Sequence, residues 1–314
     1  MKRRGARVDG FLVLDKPAGM TSTQALGKAR RALGAAKAGH AGTLDPLATG
    51  VLVLAEGEAT KLVPQVMDSP KRYRFGVRWG EARATDDAEG AVTATSEVRP
   101  SRAAIEAALP RVLGAIEQVP PVYSAIKQAG RPAYARARAG EAVALSPRRV
   151  RIDSFTLVDA APDRAVLEVA CGKGTYVRSL ARDLAQALGT VGFVDELRRL
   201  QVGPYRVEAA ISLAQLASPG YTPAAHLRPL ETALDDIPAL AIDGEMADRL
   251  RKGQAVQAPR AAGPLASPPA AGQPVAVLAG GRLVAMVRIE DGTLRPLRVF
   301  NPDPKETMPD VDQR

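Results

Sequence analysis

Hydrophobic and polar residues alternate along several short segments of the chain, and this spacing predicts β-strands. The clearest case is residues 71–79, where apolar or aromatic side chains share one face and arginines share the other: Tyr73, Phe75, Val77 and Trp79 against Arg72, Arg74 and Arg78. Further strands are predicted at residues 10–16, 51–54, 149–158 and 165–171. The first of these ends at Pro17, and the alternation in 149–158 slips by one position at Ser154. Much of the chain is therefore expected to form β-sheet.

Helix signals separate these strands. Thr21 and Gln24 have the spacing of a capping box, and the helix they begin is expected to end at Leu33 and Gly34. Ser101 is a candidate cap for a second helix. A third is predicted at residues 176–188, with an apolar stripe along one face: Val177, Leu180, Ala181, Leu184 and Leu188. Arg178 and Arg182 are four residues apart, so they lie together on another face of this helix.

The pattern changes beyond Pro238, where short apolar segments alternate with turn residues. Strands of a small β-rich unit are predicted at residues 240–243, 255–257, 275–278 and 283–289. Residues 261–274 form an Ala/Pro/Gly-rich loop within this unit. We therefore expect two domains, at residues 9–235 and 236–300, with flexible tails at residues 1–8 and 301–314.

The net charge of the chain bears on the class of partner that it can bind. The chain of 314 residues has a formal charge of +9, although 46% of its residues are hydrophobic. Residues 1–40 contain nine Lys or Arg against two acids, and residues 127–151 contain seven against one. Such segments occur as solvated faces and as contacts for polyanions, so the charge leaves nucleic-acid binding and a solvated surface about equally open.

The composition also excludes several classes of site. Cys171 is the single cysteine and His40 and His226 are the two histidines, so an internal disulfide, a cysteine zinc site and a histidine-rich metal site are excluded. No apolar stretch approaches the length of a membrane span, and no apolar segment of a secretory signal follows the basic start of the chain. We therefore expect a cytoplasmic protein.

Residues 39–50 hold the candidate chemistry. This polar loop contains Asp45 and His40, and it leads directly into the apolar run at 51–54. Pro46 disfavours helical geometry at Asp45, so the carboxylate is held on extended backbone. Such a loop suits a catalytic acid, but Asp before Pro also commonly caps a turn. Tyr73, at the polar start of its strand, is likewise open between a core residue and a functional one.

These segments resemble the conserved motifs of the bacterial TruB-type tRNA pseudouridine synthases. The resemblance covers about residues 9–210 in order and is carried by GHAGTLDPLATGVL at 39–52, KRY at 71–73, PPVYSAIK at 120–127, GTYVRSL at 174–180 and LRRL at 197–200. On weaker evidence, residues 250–254 and 281–300 resemble a PUA-type RNA-binding domain.

The resemblance implies an α+β catalytic domain built on a large mixed, mainly antiparallel sheet, with the active-site cleft across its middle. It implies isomerisation of uridine 55 in the TΨC loop of tRNA to pseudouridine, without cofactor or metal. It also implies a tRNA partner, no required protein partner and a monomer. Residues 121–149, which include Lys127, match a mobile basic thumb that grips the T stem-loop.

By the same resemblance, Asp45 is the catalytic carboxylate and Arg178 its partner. Tyr73 stacks on the target base and takes part in proton transfer, and His40 fills the stack that the flipped base leaves. Tyr176 and Leu197 line the uracil pocket.

One departure from the family pattern lies at residues 80–90. The outer glycines of the family's Gly-x-x-Thr-Asp-Thr-x-Asp-x-x-Gly loop are present as Gly80 and Gly90, but Arg83 and Ala84 replace its first Thr-Asp pair. The bonding within this loop is therefore open. A second class of function also stays open: an RNA-binding or tRNA-folding module in which catalysis is incidental. An enzyme acting on another RNA is a narrower alternative.

Overall fold

A computed structural model describes residues 8–128, 130–218, 220–235, 237–259 and 272–301. The first strands are β1 Gly10–Lys16, β2 Ala38–Ala41, β3 Thr49–Glu56, β4 Lys71–Trp79, β5 Glu81–Arg83, β6 Val92–Thr95 and β7 Gly114–Gln118. The middle strands are β8 Lys127–Gln128, β9 Arg131–Pro132, β10 Arg148–Ala161, β11 Arg164–Cys171, β12 Gly192–Val202, β13 Tyr205–Arg206 and β14 Ile211–Ser212. The last strands are β15 Ala239–Ala241, β16 Val256–Gln257, β17 Val275–Ala279, β18 Arg282–Glu290 and β19 Thr293–Val299.

The helices lie between these strands. The α-helices are α1 Ser22–Leu33, α2 Val63–Asp68, α3 Arg102–Ala108, α4 Ala133–Arg138, α5 Val177–Ala187, α6 Leu213–Leu216 and α7 Gly244–Arg251. Short 3₁₀ helices occupy Gly57–Leu62, Leu109–Val112, Val207–Ala209, Pro223–His226 and Leu230–Leu234. The capping box predicted for α1 is present, and Gly34 ends this helix in the left-handed conformation. Ser101 caps α3 as predicted.

One large mixed sheet organises the chain and confirms the predicted fold class. Its order is β14-β1-β3-β12-β4-β11-β10-β7, with β13 on β12 and β2 on β3. Its pairs are antiparallel except β1–β14 and β12–β3, which are parallel. The slip predicted at Ser154 is a register shift in the β10–β11 pair, between Ile152 and Ser154.

Both faces of the β1–β3 part of the sheet are covered, which explains the continuous apolar run in β3. Leu52 and Leu54 pack into a core under α1, α3 and α5. Val51 and Val53 point the other way, into a second core that also contains Met286 of the carboxyl-terminal sheet. A strand that is buried on both faces has no polar positions to alternate with.

The carboxyl-terminal strands form a second sheet in the order β15-β17-β18-β19-β16. Polar contacts join the end of this sheet to the 3₁₀ helix that follows β3, where Lys61 Nζ donates to Val299 O at 2.7 Å. Glu58 accepts from Lys61 Nζ at 2.7 Å and from the Asn301 amide at 2.9 Å. These bonds attach the end of β19 to the 3₁₀ helix that follows β3.

Some predicted elements need correction. The pattern at residues 196–200 indicates that a strand or turn begins there, but the long strand β12 already begins at Gly192. The helix α7 and the strand β19 were not predicted. Most of the predicted Ala/Pro/Gly-rich loop, residues 1–7 and residues 302–314 lie outside the described residues. No helix in the described part of the chain has both the length and the hydropathy for a bilayer crossing.

Candidate active site

The candidate site lies where the large sheet forks along β3. The strand β12 pairs with the start of β3 at Thr49 and Gly50. The strand β2 pairs with the end of β3, from Val53 to Glu56, on the part that β12 leaves open. His40 therefore lies in a strand, opposite Leu54, and the prediction that it lies in a loop is wrong. The unpaired end of β3 has backbone groups that need partners, and the short β2 supplies them.

Arg199 fills the fork. Its side chain is buried, and its Nε donates to Val51 O at 2.7 Å. Val51 lies between the residues of β3 that pair with β12 and those that pair with β2. The Nη2 of Arg199 donates to Gly42 O at 3.0 Å. The start of the loop between β2 and β3 is therefore held by a cation from the neighbouring strand.

The rest of this loop is also fixed by backbone contacts. The amide of Leu44 donates to Ser22 Oγ at 2.8 Å, and Ser22 Oγ donates to Leu44 O at 3.1 Å. The carbonyl of Pro46 accepts from the Gly19 amide at 2.9 Å and from Lys16 Nζ at 3.3 Å. Asp45 stands between these two anchored residues, so its carboxylate projects from rigid backbone.

Gly50 shows why a glycine follows the loop. Its φ is +96°, and a Cβ at this position would lie 2.2 Å from Arg199 O. The start of β3 therefore approaches β12 too closely for any side chain. This close approach brings Asp45 and the inward face of β12 into one site.

Arg178 closes the site from α5. Its Nε lies 2.9 Å from Asp45 Oδ2, and its Nη1 lies 3.4 Å from Asp87 Oδ2. Nη1 also donates to Thr85 O at 2.7 Å, and Nη2 donates to Tyr123 O at 2.9 Å. The Arg178 side chain is only 4% exposed, whereas that of Asp45 is 35% exposed. The guanidinium is thus locked in place, and the carboxylate next to it remains accessible from the cavity.

The charges in the site oppose one another. Burial raises the pKa of the Asp45 carboxyl, and the nearby Asp87 adds to this rise. Arg178, and to a smaller extent Lys16, lower the pKa of the same carboxyl. Burial likewise raises the pKa of Tyr73, and Arg199 offsets part of this shift. The His40 pKa is lowered by burial and then by Arg199, which favours the neutral imidazole. The site therefore combines a cation-paired carboxylate with a protonated phenol.

A cavity of about 280 Å³ opens in front of Asp45. Five of the residues predicted for the site line it: Asp45, Tyr73, Tyr176, Arg178 and Leu197. His40 and Lys127 are not among the described residues that line this cavity. Tyr73 and Leu197 come from β4 and β12, which are adjacent strands. A carboxylate beside an aromatic ring in such a cavity can bind a planar group and act on a bond next to it.

Several residues of the site were not predicted: Lys16, Ser22, Lys71, Asp87 and Arg199. Arg199 had a recognisable signal, because it shares the face of β12 with Leu197 and is a charged residue at an inward position. Lys71 lines the cavity, and burial lowers its pKa to about 8. Lys16 is buried at the end of β1, and burial lowers its pKa to about 8 as well. Among the described residues, no group of three or more His, Cys, Asp or Glu is placed to hold a metal ion.

Comparison with known proteins places these residues in a family context. Residues 30–177 match the TruB family pseudouridylate synthase N-terminal domain, and residues 178–235 match the tRNA pseudouridylate synthase B C-terminal domain. The chain is 54% identical to tRNA pseudouridine synthase B of Bradyrhizobium diazoefficiens, covering 95% of this chain and 88% of that protein. It is 53% identical to tRNA pseudouridine synthase B of Gluconacetobacter diazotrophicus, covering 95% of this chain and 99% of that protein.

Solved structures share the fold. A chain of a Cbf5-Nop10-Gar1 complex aligns with a TM-score of 0.73 and 24% identity, over 93% of this chain and 85% of that one. A chain of an H/ACA RNP bound to a substrate RNA containing 2′-deoxyuridine aligns with a TM-score of 0.74 and 21% identity, over 96% and 91%. At these identities the likeness concerns the fold alone.

Proposed function

This chain belongs to the TruB family of tRNA pseudouridine synthases, and from that premise we propose that it isomerises uridine 55 in the TΨC loop of tRNA with Asp45 as the catalytic carboxylate. The enzyme class is isomerase. The observation that carries the proposed site is the 2.9 Å ion pair between Arg178 and the accessible carboxylate of Asp45. The reaction breaks the C1′–N1 bond, forms a C1′–C5 bond and moves one proton from C5 to N1.

In this proposal Asp45 acts on the ribose or the base while the glycosidic bond is broken. A carboxylate must be ionised to serve as nucleophile, base or stabiliser of positive charge at C1′. Burial opposes ionisation of Asp45, and the Arg178 guanidinium favours it. The buried cation therefore allows a carboxylate to remain charged in a cavity that a base will fill.

Tyr73 supplies the aromatic surface. Its raised pKa keeps the phenol protonated in the free enzyme, so stacking on uracil is its first proposed role. Arg199 lowers the pKa of Tyr73 and would stabilise a phenolate, which supports a second role in transfer of the C5 proton. Tyr176 and Leu197 are proposed to line the remaining walls of the uracil pocket.

The target base is inside the T-loop stack, so it must be flipped out at a cost of a few kcal/mol. We propose that the neutral, planar imidazole of His40 fills the space that the base leaves. Lys127 and the other cations of residues 121–149 are proposed to contact tRNA phosphates, which position the RNA and carry little sequence information. Folded T-loop shape then supplies specificity.

We further propose that the chain acts on tRNA as a monomer, without a protein partner, in the cytoplasm where tRNA is modified. The division into a catalytic domain at residues 9–235 and a PUA-like RNA-binding domain at residues 236–300 belongs to the same proposal. Light scattering of the enzyme with and without tRNA tests the monomer, and a dimer in both samples would contradict it.

The proposed reaction is tested by incubating an unmodified tRNA transcript with the wild type and with Asp45→Asn. Pseudouridine is mapped by chemical labelling and primer extension. We expect product at position 55 with the wild type and none with Asp45→Asn, while tRNA binding stays within about twofold.

Asp163→Asn is the matched control, since this exposed aspartate pairs with Arg99 on the surface. It should leave the product yield unchanged. Full turnover by Asp45→Asn would refute the catalytic role of this residue. Product at another position would refute the assignment to uridine 55, and binding without any product would favour an RNA-folding role.

A further inference from the structure

We propose that Arg83 is a positioning residue that closes the loop at residues 80–90 and thereby holds Arg178 against Asp45. This proposal rests on the proposed function, because it concerns the same carboxylate. Arg83 stands where the family pattern has threonine. Its contacts therefore also show which hydrogen bonds form in the part of the loop where this chain departs from that pattern.

The Arg83 side chain joins the two ends of the loop. Its Nη2 lies 2.7 Å from Glu81 Oε2 at the beginning. Its Nη1 donates to Gly90 O at 3.2 Å, and lies 3.4 Å from Ala88 O, at the end. The guanidinium carbon also lies 4.4 Å from the ring centre of Phe193, on β12. A planar group with several donors can make these contacts at once, and a lysine ammonium cannot make them all.

The loop that Arg83 closes supplies two of the groups that surround Arg178. Thr85 O accepts from Arg178 Nη1 at 2.7 Å, and the buried carboxylate of Asp87 lies 3.4 Å from the same nitrogen. Arg178 in turn makes the 2.9 Å contact with Asp45. A chain of direct contacts and covalent loop backbone therefore leads from Arg83 to the candidate catalytic carboxylate.

Other bonds keep the loop folded when Arg83 is changed. The Ala84 amide donates to Ala91 O at 2.9 Å, and the Ala88 amide donates to Val194 O at 3.0 Å. The Glu89 amide donates to Asp87 Oδ1 at 3.1 Å. Loss of the Arg83 contacts is therefore expected to loosen the position of Asp87 and Thr85 and to leave the protein folded.

Loss of the Arg83 contacts is expected to change the ionisation of Asp45. Three charged groups shift the pKa of this carboxyl: Arg178 and Lys16 favour ionisation, and Asp87 opposes it. If Arg178 is held less firmly, burial and Asp87 dominate. The pH at which activity is half lost on the acid side then moves upward.

The experiment compares the wild type with Arg83→Met, Arg83→Lys and the control Arg102→Met, an exposed arginine that pairs with Glu106 on α3. Single-turnover rates on a tRNA transcript are measured across pH, with KM, thermal midpoint and hydrogen exchange of the peptide at residues 80–91. For Arg83→Met we expect a rate about tenfold lower, an acid limb shifted to higher pH, KM within about twofold and faster exchange in this peptide. Arg83→Lys should recover part of the rate, and Arg102→Met should match the wild type.

Three results would overturn the proposal. One is an Arg83→Met rate and acid limb equal to those of the control. A second is a raised KM with an unchanged rate, which would make Arg83 an RNA contact. A third is a lower thermal midpoint with an unchanged rate per folded molecule. Inactivity of the wild type would instead refute the proposed function, and the exchange measurement would still show whether Arg83 closes the loop.

Discussion

Two ion clusters in this protein have opposite compositions and opposite surroundings. In the candidate active site, one cation, Arg178, lies between the carboxylates of Asp45 and Asp87. In the proposed thumb at residues 121–149, one carboxylate, Glu141, lies 2.7 Å from both Arg131 and Arg136. Arg178 is 4% exposed, whereas Arg131 is 57% exposed.

The difference lies in what holds each cluster. Backbone carbonyls of Thr85 and Tyr123 fix the Arg178 guanidinium, so its geometry does not depend on the ion pair alone. Arg131 is held by the shared carboxylate in contact with water and salt, and Arg136 is held by that carboxylate and by Gln128 Oε1, which accepts from its Nη1 at 2.9 Å. A buried cluster of this kind sets the charge of the candidate catalytic carboxylate. An exposed one can release its cations to another anion, and RNA phosphates are such anions.

The largest expected effect follows from removing the buried cation. Arg178→Met leaves Asp45 and Asp87 without their cation, so the pKa of Asp45 rises further and the ionised fraction falls. We expect a rate about 10²–10³-fold lower at neutral pH, with the acid limb of the profile at higher pH. Single-turnover pseudouridine formation across pH measures both.

Arg182→Met is the control, because Arg182 lies one turn later on α5 and pairs with Asp86 at 3.0 Å. Its rate should fall less than about tenfold. Equal losses for the two variants would show that the loss is not specific to the cation beside Asp45.

Glu56 provides a third carboxyl for this comparison. It is buried, and neither of its oxygens has a hydrogen-bond partner among the described residues. Burial raises its pKa from 4.5 to about 8. Between these values the folded protein keeps the proton and the unfolded chain loses it, so stability falls as pH rises towards about 8 and then levels off. Glu56→Gln removes this dependence on pH. We expect its free energy of unfolding to exceed that of the wild type by about 1–3 kcal/mol at pH 8.

Urea unfolding at several pH values between about 5 and 8.5 provides the measurement. Glu117→Gln, at an exposed position of β7, serves as the control. If Glu56→Gln and the wild type gave parallel curves of stability against pH, Glu56 would have to be ionised in the folded protein.

The smallest expected effect belongs to the thumb. Hydrogen bonds from Arg136 and Arg131 lower the pKa of Glu141, so it is ionised at neutral pH. Glu141→Gln frees both cations without touching Asp45. We expect the single-turnover rate and the thermal midpoint to be unchanged. The slope of log affinity for tRNA against log salt concentration should become steeper by up to about one. Filter binding at four salt concentrations measures this slope, with Glu106→Gln as control. A lower single-turnover rate at saturating enzyme would place Glu141 in the catalytic site instead.

The strands and helices with strong periodic patterns were predictable from local sequence. The alternation in residues 71–79, the capping box at Thr21 and the slip at Ser154 each specify backbone geometry through neighbours in the chain. The strand β12 was harder to recognise, because it has Asp195, Glu196 and Arg198 on its outward face and the cation Arg199 on its inward face. The helix α7 was missed because its buried face contains only a few apolar residues, Ala247 and Leu250 among them.

By itself the sequence determined which residues are candidates for the chemistry: its motifs pointed to Asp45, Tyr73 and Arg178, whereas its charge left a polyanionic partner and a solvated surface equally open. Only the tertiary structure decided how the carboxylate is held and charged. Arg199 bonds to Gly42 O across 157 residues, and Arg178 bonds to Thr85 O across 93 residues. Local patterns specify periodicity and caps, but which buried carbonyl a distant guanidinium satisfies depends on how the strands are brought together.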